Sequence, residues 1–171
     1  MEEHEIKLVQ PGDLEWVVPM FAKRYYTSKP DEALVHFADH SSGGGETFLA
    51  FKGGEWAGFV TIRWVSHNVQ FREANIPLIH HLEVFSQYRR QGLACSLMNE
   101  AEALIATRAT KAGIVVGLFD AYGPAQRLYA RRGYIPDGRG ICQGHHPLKQ
   151  GETVTLDHDI ILWLVKDLKL R

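Results

Sequence analysis

From Leu82 to Ala94 the chain reads Leu82-Glu83-Val84-Phe85-Ser86-Gln87-Tyr88-Arg89-Arg90-Gln91-Gly92-Leu93-Ala94. The pattern predicts a strand, a short turn and a glycine at the head of a long helix. A helix start leaves several backbone N–H groups without intrahelical partners, and the helix dipole adds partial positive charge there. Gly92 lets a ligand approach the backbone closely, and Arg89 and Arg90 add cationic side chains. Together these are the parts of a pyrophosphate cradle. The competing reading is a surface helix with a basic first turn. Two basic side chains at a helix N-terminus oppose its dipole, however, which argues for a bound anion. The spacing is neither that of a P-loop nor that of a dinucleotide fingerprint.

The elements that must position this turn follow from the flanking pattern. Ile6-Lys7-Leu8-Val9 alternates and ends at Pro11-Gly12, a short strand. Asp13 can cap a helix with Leu14, Val17, Val18, Phe21 and Ala22 along one stripe. Pro30-Asp31 opens a second helical stretch with Ala33, Leu34, Phe37 and Ala38 on one face, and residues 41–45 form a loop. Thr47 to Phe51 and Trp56 to Val65 predict a hairpin around Gly53-Gly54, which supply the positive φ of a tight turn. Pro77 to Val84 predicts the strand before the cradle. Gly92 to about Thr110 is the longest helical pattern, with Leu93, Leu97, Ala101, Leu104 and Ile105 at helical spacing. Gly113 to Phe119 predicts a buried strand. Gly123-Pro124 starts a helix that Gly133 ends, and Ile160 to Val165 is a last strand. Strands flanking helices around one sheet make the chain α/β or α+β, a single domain over residues 1–171.

Arg89-x-x-Gly92-x-Ala94 resembles the acyl-CoA signature, Gln/Arg-x-x-Gly-x-Gly/Ala, of the GNAT superfamily of N-acyltransferases. Leu82-x-Val84 before it is similar to the end of that family's fourth strand. Ala125-Gln126-Arg127-Leu128-Tyr129-Ala130-Arg131-Arg132-Gly133-Tyr134 is similar to the family's Ala-x-x-Leu-Tyr-x-x-x-Gly-Phe segment. The two segments stand in the family's order, and the resemblance covers about residues 47–136 well and the whole chain loosely. The chain departs where the family often has an Asn contacting the pantetheine arm: that position is Tyr122. The resemblance implies a mixed, largely antiparallel central sheet of about seven strands flanked by helices, with strands 4 and 5 splayed. It implies acetyl-CoA as cosubstrate, no metal, and a primary amine of a small molecule or peptide as acceptor. The implied cofactor-binding residues are Leu82, Val84, Arg89, Arg90, Gln91, Gly92, Leu93, Ala94, Tyr122 and Ala125. A CoA-binding regulatory domain without turnover is the alternative.

Direct N-acetylation needs a neutral amine, a hydrogen-bond donor for the thioester oxygen and a proton for the leaving thiolate. The Val84 N–H is the candidate oxyanion donor. Tyr129 matches the family's tyrosine and is the candidate acid. Alternation along Leu78-Ile79-His80-His81-Leu82-Glu83-Val84 places His80 on the face of Leu82 and Val84, and His81 with Glu83 on the other. His80 is the first candidate base, since an ordinary imidazole titrates near neutrality. Glu83 is the second, water remains open, and His81 is last.

Other constellations carry less. His36 and His40 share a helical face, which is expected to be solvated because no third metal ligand is evident. His145 and His146 are expected in a solvent-facing loop. The resemblance implies that Tyr25, Tyr26, Trp64 and Phe71 line the acceptor site, although such aromatics are more often core. Cys95 is expected to pack within the long helix, since no histidine at readable spacing activates it.

The whole chain has 171 residues, 45% hydrophobic and 23% charged, with a formal charge of −1. That balance excludes a protein held on nucleic acid or a membrane by its global charge. No apolar run is long enough to span a bilayer. The acidic start, Met1-Glu2-Glu3-His4-Glu5, lacks the basic opening of a secretory signal, so a cytoplasmic location is expected. Oligomeric state, a homodimer included, is not readable. Residues 87–132 hold seven Lys/Arg and three acids, a net of +4 that leaves −5 elsewhere. The basic segment suits the phosphates of one CoA. Acids near the C-terminus, Glu152, Asp157 and Asp159, suit a cationic acceptor.

Overall fold

Alternating residues and two glycines build the first sheet segment. In the computed structural model, which describes residues 4–169, β1 (His4–Leu8) pairs antiparallel with β2 (Gly45–Lys52), from His4↔Lys52 to Leu8↔Phe48. Met1 and the acidic Glu2 and Glu3 lie outside the described residues. β2 turns into β3 (Glu55–Arg63) through Gly53 and Gly54, whose φ values are 56° and 77°. Both angles are left-handed, as a tight hairpin requires. α1 (Leu14–Arg24) and α2 (Glu32–His36) lie between β1 and β2 in sequence, α3 (Val69–Glu73) precedes β4 (Leu78–Val84), and α4 (Leu93–Ile105) follows it. Then come β5 (Lys111–Gly117), α5 (Gly123–Arg131), three two-residue strands, β6 (Ile135–Pro136), β7 (Cys142–Gln143) and β8 (His146–Pro147), and β9 (Ile160–Asp167).

The strand order is β1-β2-β3-β4-β5-β9-β7-β8, with β6 also on β9. β4 and β5 are parallel, as Leu78↔Gly113 and Ile79↔Ile114, while β5 and β9 run antiparallel from Lys111↔Asp167 to Gly117↔Ile161. The parallel pairing stops at Ile79, which leaves residues 80–84 outside it. This is the expected mixed α/β sheet, flanked by helices, and the three two-residue strands bring it to nine.

The chain forms two compact units. One is the chain up to Trp64 with His81–Ala101, and the other is Val65–His80 with the chain from Glu102 on. In the first, Val9, Val17, Phe21, Ala33, Phe37, Leu49, Trp56 and Phe59 make the core. Phe21 is its hub, with ring centroids 4.6 Å from Trp56, 4.7 Å from Phe59 and 4.8 Å from Phe37. In the second, Phe71, Ile76, Leu78, Cys142, Ile161 and Trp163 cluster. Gly113 lets the Phe71 ring lie against β5, because a Cβ there would fall 2.2 Å from that ring.

Several expectations change. α2 is only five residues long, and the residues buried in it and just after it are Ala33, His36, Phe37 and His40, whereas Leu34 is 64% exposed and Ala38 is exposed too. The two histidines are therefore buried, not solvated: His36 Nε2 bonds the Thr61 hydroxyl and His40 Nε2 the Thr47 hydroxyl, and the face rotates to present them to the sheet. α4 ends at Ile105, before Thr110. Its buried residues Leu93, Leu97, Met98, Ala101 and Ile105 still form one stripe. α3 is not read from the sequence. It is a single capped turn, in which Asn68 Oδ1 accepts from the Phe71 N–H at 3.1 Å. Cys95 is exposed on α4, so it does not pack as expected.

Candidate functional site

In the first unit, the end of β4 passes through a single turn at Ser86–Tyr88 into Arg89, Arg90, Gln91 and Gly92. Arg90 has φ 63° and Gly92 φ 87°, so two residues in the left-handed region curl the backbone just before α4. For Gly92 this is what its lack of a Cβ permits, and for Arg90 it is an uncommon conformation for a side-chain-bearing residue. The first intrahelical bond into this end is Ser96 N–H to the Gly92 carbonyl at 3.1 Å. Helix geometry leaves the N–H groups of Leu93, Ala94 and Cys95 outside the ladder. A Cβ built on Gly92 meets nothing within 4 Å, so the backbone there borders open space. The arrangement fits a phosphate group: free N–H donors, the positive end of a thirteen-residue helix, and the exposed Arg90 side chain.

The two arginines divide their work. Arg89 turns back on the strand, its Nε donating to the Val84 carbonyl at 2.8 Å and its NH2 to Glu83 Oε1 at 3.0 Å. It clamps the turn to β4, leaving Arg90 as the arginine that reaches outward. Gln91 accepts from Lys52 Nζ and donates to the Gln87 carbonyl at 3.2 Å, which ties the turn to β2. Leu93 is buried, Ala94 and Leu82 are half-buried, and Val84 is buried. Gly58 of β3 is what lets Glu83 and Val84 come close: a Cβ on it would fall 2.3 Å from the Glu83 carbonyl oxygen.

His81 points to the α1–α2 side, its ring stacked 5.2 Å from His36 and 6.3 Å from Phe59. Burial, and then the charge of Arg63, lowers its pKa to about 4. An imidazole with so low a pKa has little basicity to offer near neutrality. Tyr25 packs on Phe21 and Phe59, the Tyr26 hydroxyl shares a hydrogen bond with His36 Nδ1 at 2.8 Å, and the Trp64 indole N–H donates to Glu46 at 2.6 Å.

In the second unit, His80 is half-buried and lines a cavity of about 460 Å³ with Leu78, Val115, His67, His145 and Trp163. The His67 ring meets His80 edge-on at 5.6 Å. His145 is exposed, as expected, and its ring lies 5.4 Å from Trp163. Phe71 is buried in the core and does not line the cavity. Tyr122 lies against Gly117, where a Cβ would fall 2.3 Å from its ring, and Ala125 is half-buried on α5. Tyr129 is 5% exposed, 6.0 Å from the Tyr134 ring.

Two features of this unit have no signal in the sequence. Gln126 Nε2 donates to the Gly117 carbonyl at 2.9 Å and pins the start of α5 to the end of β5. Glu102 gathers four donors: Arg132 Nε and NH2 at 2.9 Å each, Lys166 Nζ at 2.7 Å and the Tyr134 hydroxyl at 3.1 Å. Burial acts to raise the Glu102 pKa, but the bonds and charges of Arg132 and Lys166 outweigh it and hold the carboxyl below its usual range. Burial, then the Glu102 charge, pushes the Tyr134 phenol far up.

The sequence profile of the Acetyltransferase (GNAT) family matches residues 14–134. No curated protein sequence matches the chain. Among solved structures, the chain is similar to a putative acetyltransferase of the GNAT family from Desulfovibrio desulfuricans, at TM-score 0.66 and 14% identity over 96% of this chain and 99% of that one. It is similar to PaiA N-acetyltransferase from Thermoplasma acidophilum in complex with coenzyme A, at TM-score 0.62 and 15% identity over 96% and 99%. It is also similar to a GNAT family acetyltransferase from Elizabethkingia anophelis with acetyl-CoA bound, at TM-score 0.60 and 15% identity over 98% and 100%.

Proposed function

The chain belongs to the GNAT acetyltransferase family, with acetyl-CoA as its cosubstrate, and from that premise we propose that it acetylates a primary amine of a small molecule or peptide in the cytoplasm by direct transfer. The observation that carries the cofactor half is the Arg90–Gly92 turn, with its left-handed backbone, open space at Gly92 and the free N–H groups of α4. Arg90 and those N–H groups hold the phosphates and Arg89 fixes the turn; the family resemblance assigns Leu82, Tyr122 and Ala125 to the pantetheine.

Acetyl-CoA supplies an activated acetyl carbon and a thiolate leaving group. The Val84 N–H donates to the thioester oxygen as negative charge gathers there. His80 takes a proton from the amine. It is preferred to Glu83, whose carboxylate Arg89 already engages at 3.0 Å. Tyr129 gives its phenolic proton to the departing sulfur. The cavity at His80, about 460 Å³, falls within the usual 300–1,000 Å³ of small-molecule sites and supports a compact acceptor.

The test is steady-state thiol release from acetyl-CoA with an amine panel. At least one amine is expected to turn over, and His80→Gln and Tyr129→Phe are each expected to lower kcat/KM by about 100-fold or more and to alter its pH profile. If acetyl-CoA raises the Tm but no amine releases CoA, the chain is a binding domain. If both variants keep wild-type rates and profiles, they leave the mechanism.

A further inference from the structure

The cavity at His80 has a wall of uneven chemistry. Aliphatic side chains and the rings of His67, His80, His145 and Trp163 form most of it. One carboxylate, Asp159, stands in the wall, and among the described residues no lysine or arginine does. Of the acids that the sequence places near its C-terminus, Glu152, Asp157 and Asp159, only the last lines the cavity. A concave site with one anion and no cationic side chain attracts positive charge and repels negative charge. The acetyl step derived above uses neither Asp159 nor the Trp163 side of this cavity.

Asp159 is set by a turn at the head of β9. Its N–H donates to Asp157 Oδ1 at 2.9 Å, and the Ile160 N–H donates to the Asp157 carbonyl at 3.2 Å. Gly144 joins this turn to Trp163. The Gly144 N–H donates to the Asp159 carbonyl at 2.8 Å, and the Gly144 carbonyl accepts from the Trp163 indole N–H at 3.0 Å. These bonds engage the backbone N–H of Gly144 and the indole N–H within the wall, so neither is offered to a ligand as a donor. What this side presents is the Asp159 carboxylate and ring surface. His67 stands edge-on 5.6 Å from His80 and 5.1 Å from His145, and the His145 ring lies 5.4 Å from Trp163. The Asp159 side chain is 60% exposed, so its charge stands toward solvent at one side of the cavity, whereas His80 is half-buried.

Neighbouring charges do not reverse this sign. Arg139 lies 5.1 Å from the Trp163 ring but outside the lining, and the Asp137 carboxylate pairs with it, Nε to Oδ2 at 2.8 Å. His158 Nε2 lies 3.5 Å from Asp159 Oδ1, and that ring is itself exposed, which leaves room for an ammonium to approach the carboxylate beside it. A ligand carboxylate would meet Asp159 with no cationic side chain in the wall to offset the repulsion. A neutral alkyl tail would gain apolar contact alone. An ammonium gains both the carboxylate and the ring faces, to which cations are drawn.

The geometry points to a diamine acceptor, with one amine reacting at His80 and the second, as an ammonium, held at the Asp159 carboxylate and the rings beside it. The inference rests on the acetyl-transfer reading above and makes Asp159 the residue that determines acceptor specificity. In the reaction one N–C bond forms and one C–S bond breaks. The reacting ammonium loses two protons, one that ends on the CoA sulfur and one that His80 takes and returns to solvent. The far ammonium keeps its charge throughout. Its contact with Asp159 is therefore the same in the ground and transition states, and it lowers KM rather than raising kcat. The acetylated end is a neutral amide. A second acetylation would have to seat that amide at Asp159 in place of the ammonium, so the product is the monoacetyl diamine.

The test measures CoA release from acetyl-CoA with straight-chain diamines from diaminopropane to diaminooctane, each beside the monoamine and the aminoalkanoate of the same length. The best diamine is expected to exceed its monoamine by about tenfold in kcat/KM, the combined effect of a partly exposed ion pair and ring contact, and the aminoalkanoate is expected to be the poorest. Asp159→Asn keeps the shape and is expected to remove most of that preference by raising KM for the diamine, with the monoamine within about twofold of wild type. Asp159→Glu keeps the charge and is expected to keep a diamine preference. Asp167→Asn removes an exposed acid at the other end of β9 and is expected to leave the preference unchanged. Mass spectrometry is expected to find one acetyl group per diamine. Equal kcat/KM for diamine and monoamine, a preference for the aminoalkanoate, or a diamine preference that survives Asp159→Asn each overturns the proposal while acetyl transfer stands. So does an equal loss in Asp167→Asn, a second acetylation as fast as the first, or turnover of benzylamine faster than that of every diamine. If the wild-type protein releases no CoA with any amine, the acetyl-transfer reading itself falls, and the diamine proposal with it.

Discussion

Replacing Gly58 by alanine tests whether the position of β4 governs the chemistry. The new Cβ would fall 2.3 Å from the Glu83 carbonyl oxygen and 3.1 Å from the Val84 Cα, and both contacts are backbone. A Cβ contact under 3.0 Å is not tolerated, so the Glu83–Val84 segment must withdraw by about 1 Å in an interior packed at crystal density. The bond from Phe85 N–H to the Ala57 carbonyl, now 3.0 Å, would stretch with it. A misplacement of about 1 Å near the reacting atoms costs about 100-fold. Gly58→Ala is therefore expected to lower kcat by about 100-fold. Overpacking of this kind costs ~1–3 kcal/mol, and a domain of this size loses ~2–4 °C per kcal/mol, so the Tm should fall by ~2–12 °C. Arg89, bonded to Val84 and Glu83, passes part of the shift to the Arg90–Gly92 turn, so the acetyl-CoA Kd should rise, but by far less than kcat falls. Steady-state CoA release gives kcat, calorimetric titration gives Kd, and circular dichroism gives the Tm. A variant with wild-type kcat and Tm would refute the argument that β4 is held against Gly58. A variant that loses acetyl-CoA affinity in proportion to kcat would refute the placement of the oxyanion donor apart from the phosphate cradle.

Two further outcomes follow from the same geometry. Glu102→Gln leaves Arg132 and Lys166, 15% and 22% exposed, without their shared anion and is expected to destabilise the fold by ~3–5 kcal/mol in urea unfolding at neutral pH. Because the folded-state carboxyl is held low, its contribution is present above the unfolded pKa of about 4.3 and is lost as pH falls through the folded value, so the gap between wild type and variant should close from about pH 5 downward. A pH-independent gap would show that shape rather than charge is at work. Gly92→Ala forces a side chain into φ 87° and puts a methyl in the open cradle, so it is expected to lower the Tm and to abolish most of the stabilisation by acetyl-CoA, ~2.7 kcal/mol at 100 times Kd. A variant that acetyl-CoA stabilises like wild type would remove Gly92 from the cradle.

Local rules made much of this protein legible in the sequence. Gly53-Gly54 determined the hairpin, because only residues free to adopt left-handed φ close so tight a turn. Gly133, with φ 86°, determined where α5 stops, and the run from Leu82 to Ala94 determined a strand, a turn and a helix start. Alternation separated His80 from His81, and the two do face different surroundings, the cavity for one and His36 for the other. These readings hold because their causes lie within a few residues.

What the tertiary structure alone decided depends on partners far along the chain. Arg89 and Arg90 are indistinguishable as adjacent residues, yet Arg89 folds back on Val84 and Glu83 while Arg90 stays exposed. His36 and His40 fit a solvated helix face until Thr61 and Thr47, 25 and 7 residues away, supply the hydroxyls that make their burial tolerable. Glu102 is an ordinary helical acid until Arg132, Tyr134 and Lys166 converge on it from 30 to 64 residues away. A polar side chain carries its chemistry in its type, but burial and partners set its pKa and its direction, and those are fixed only when the chain closes on itself.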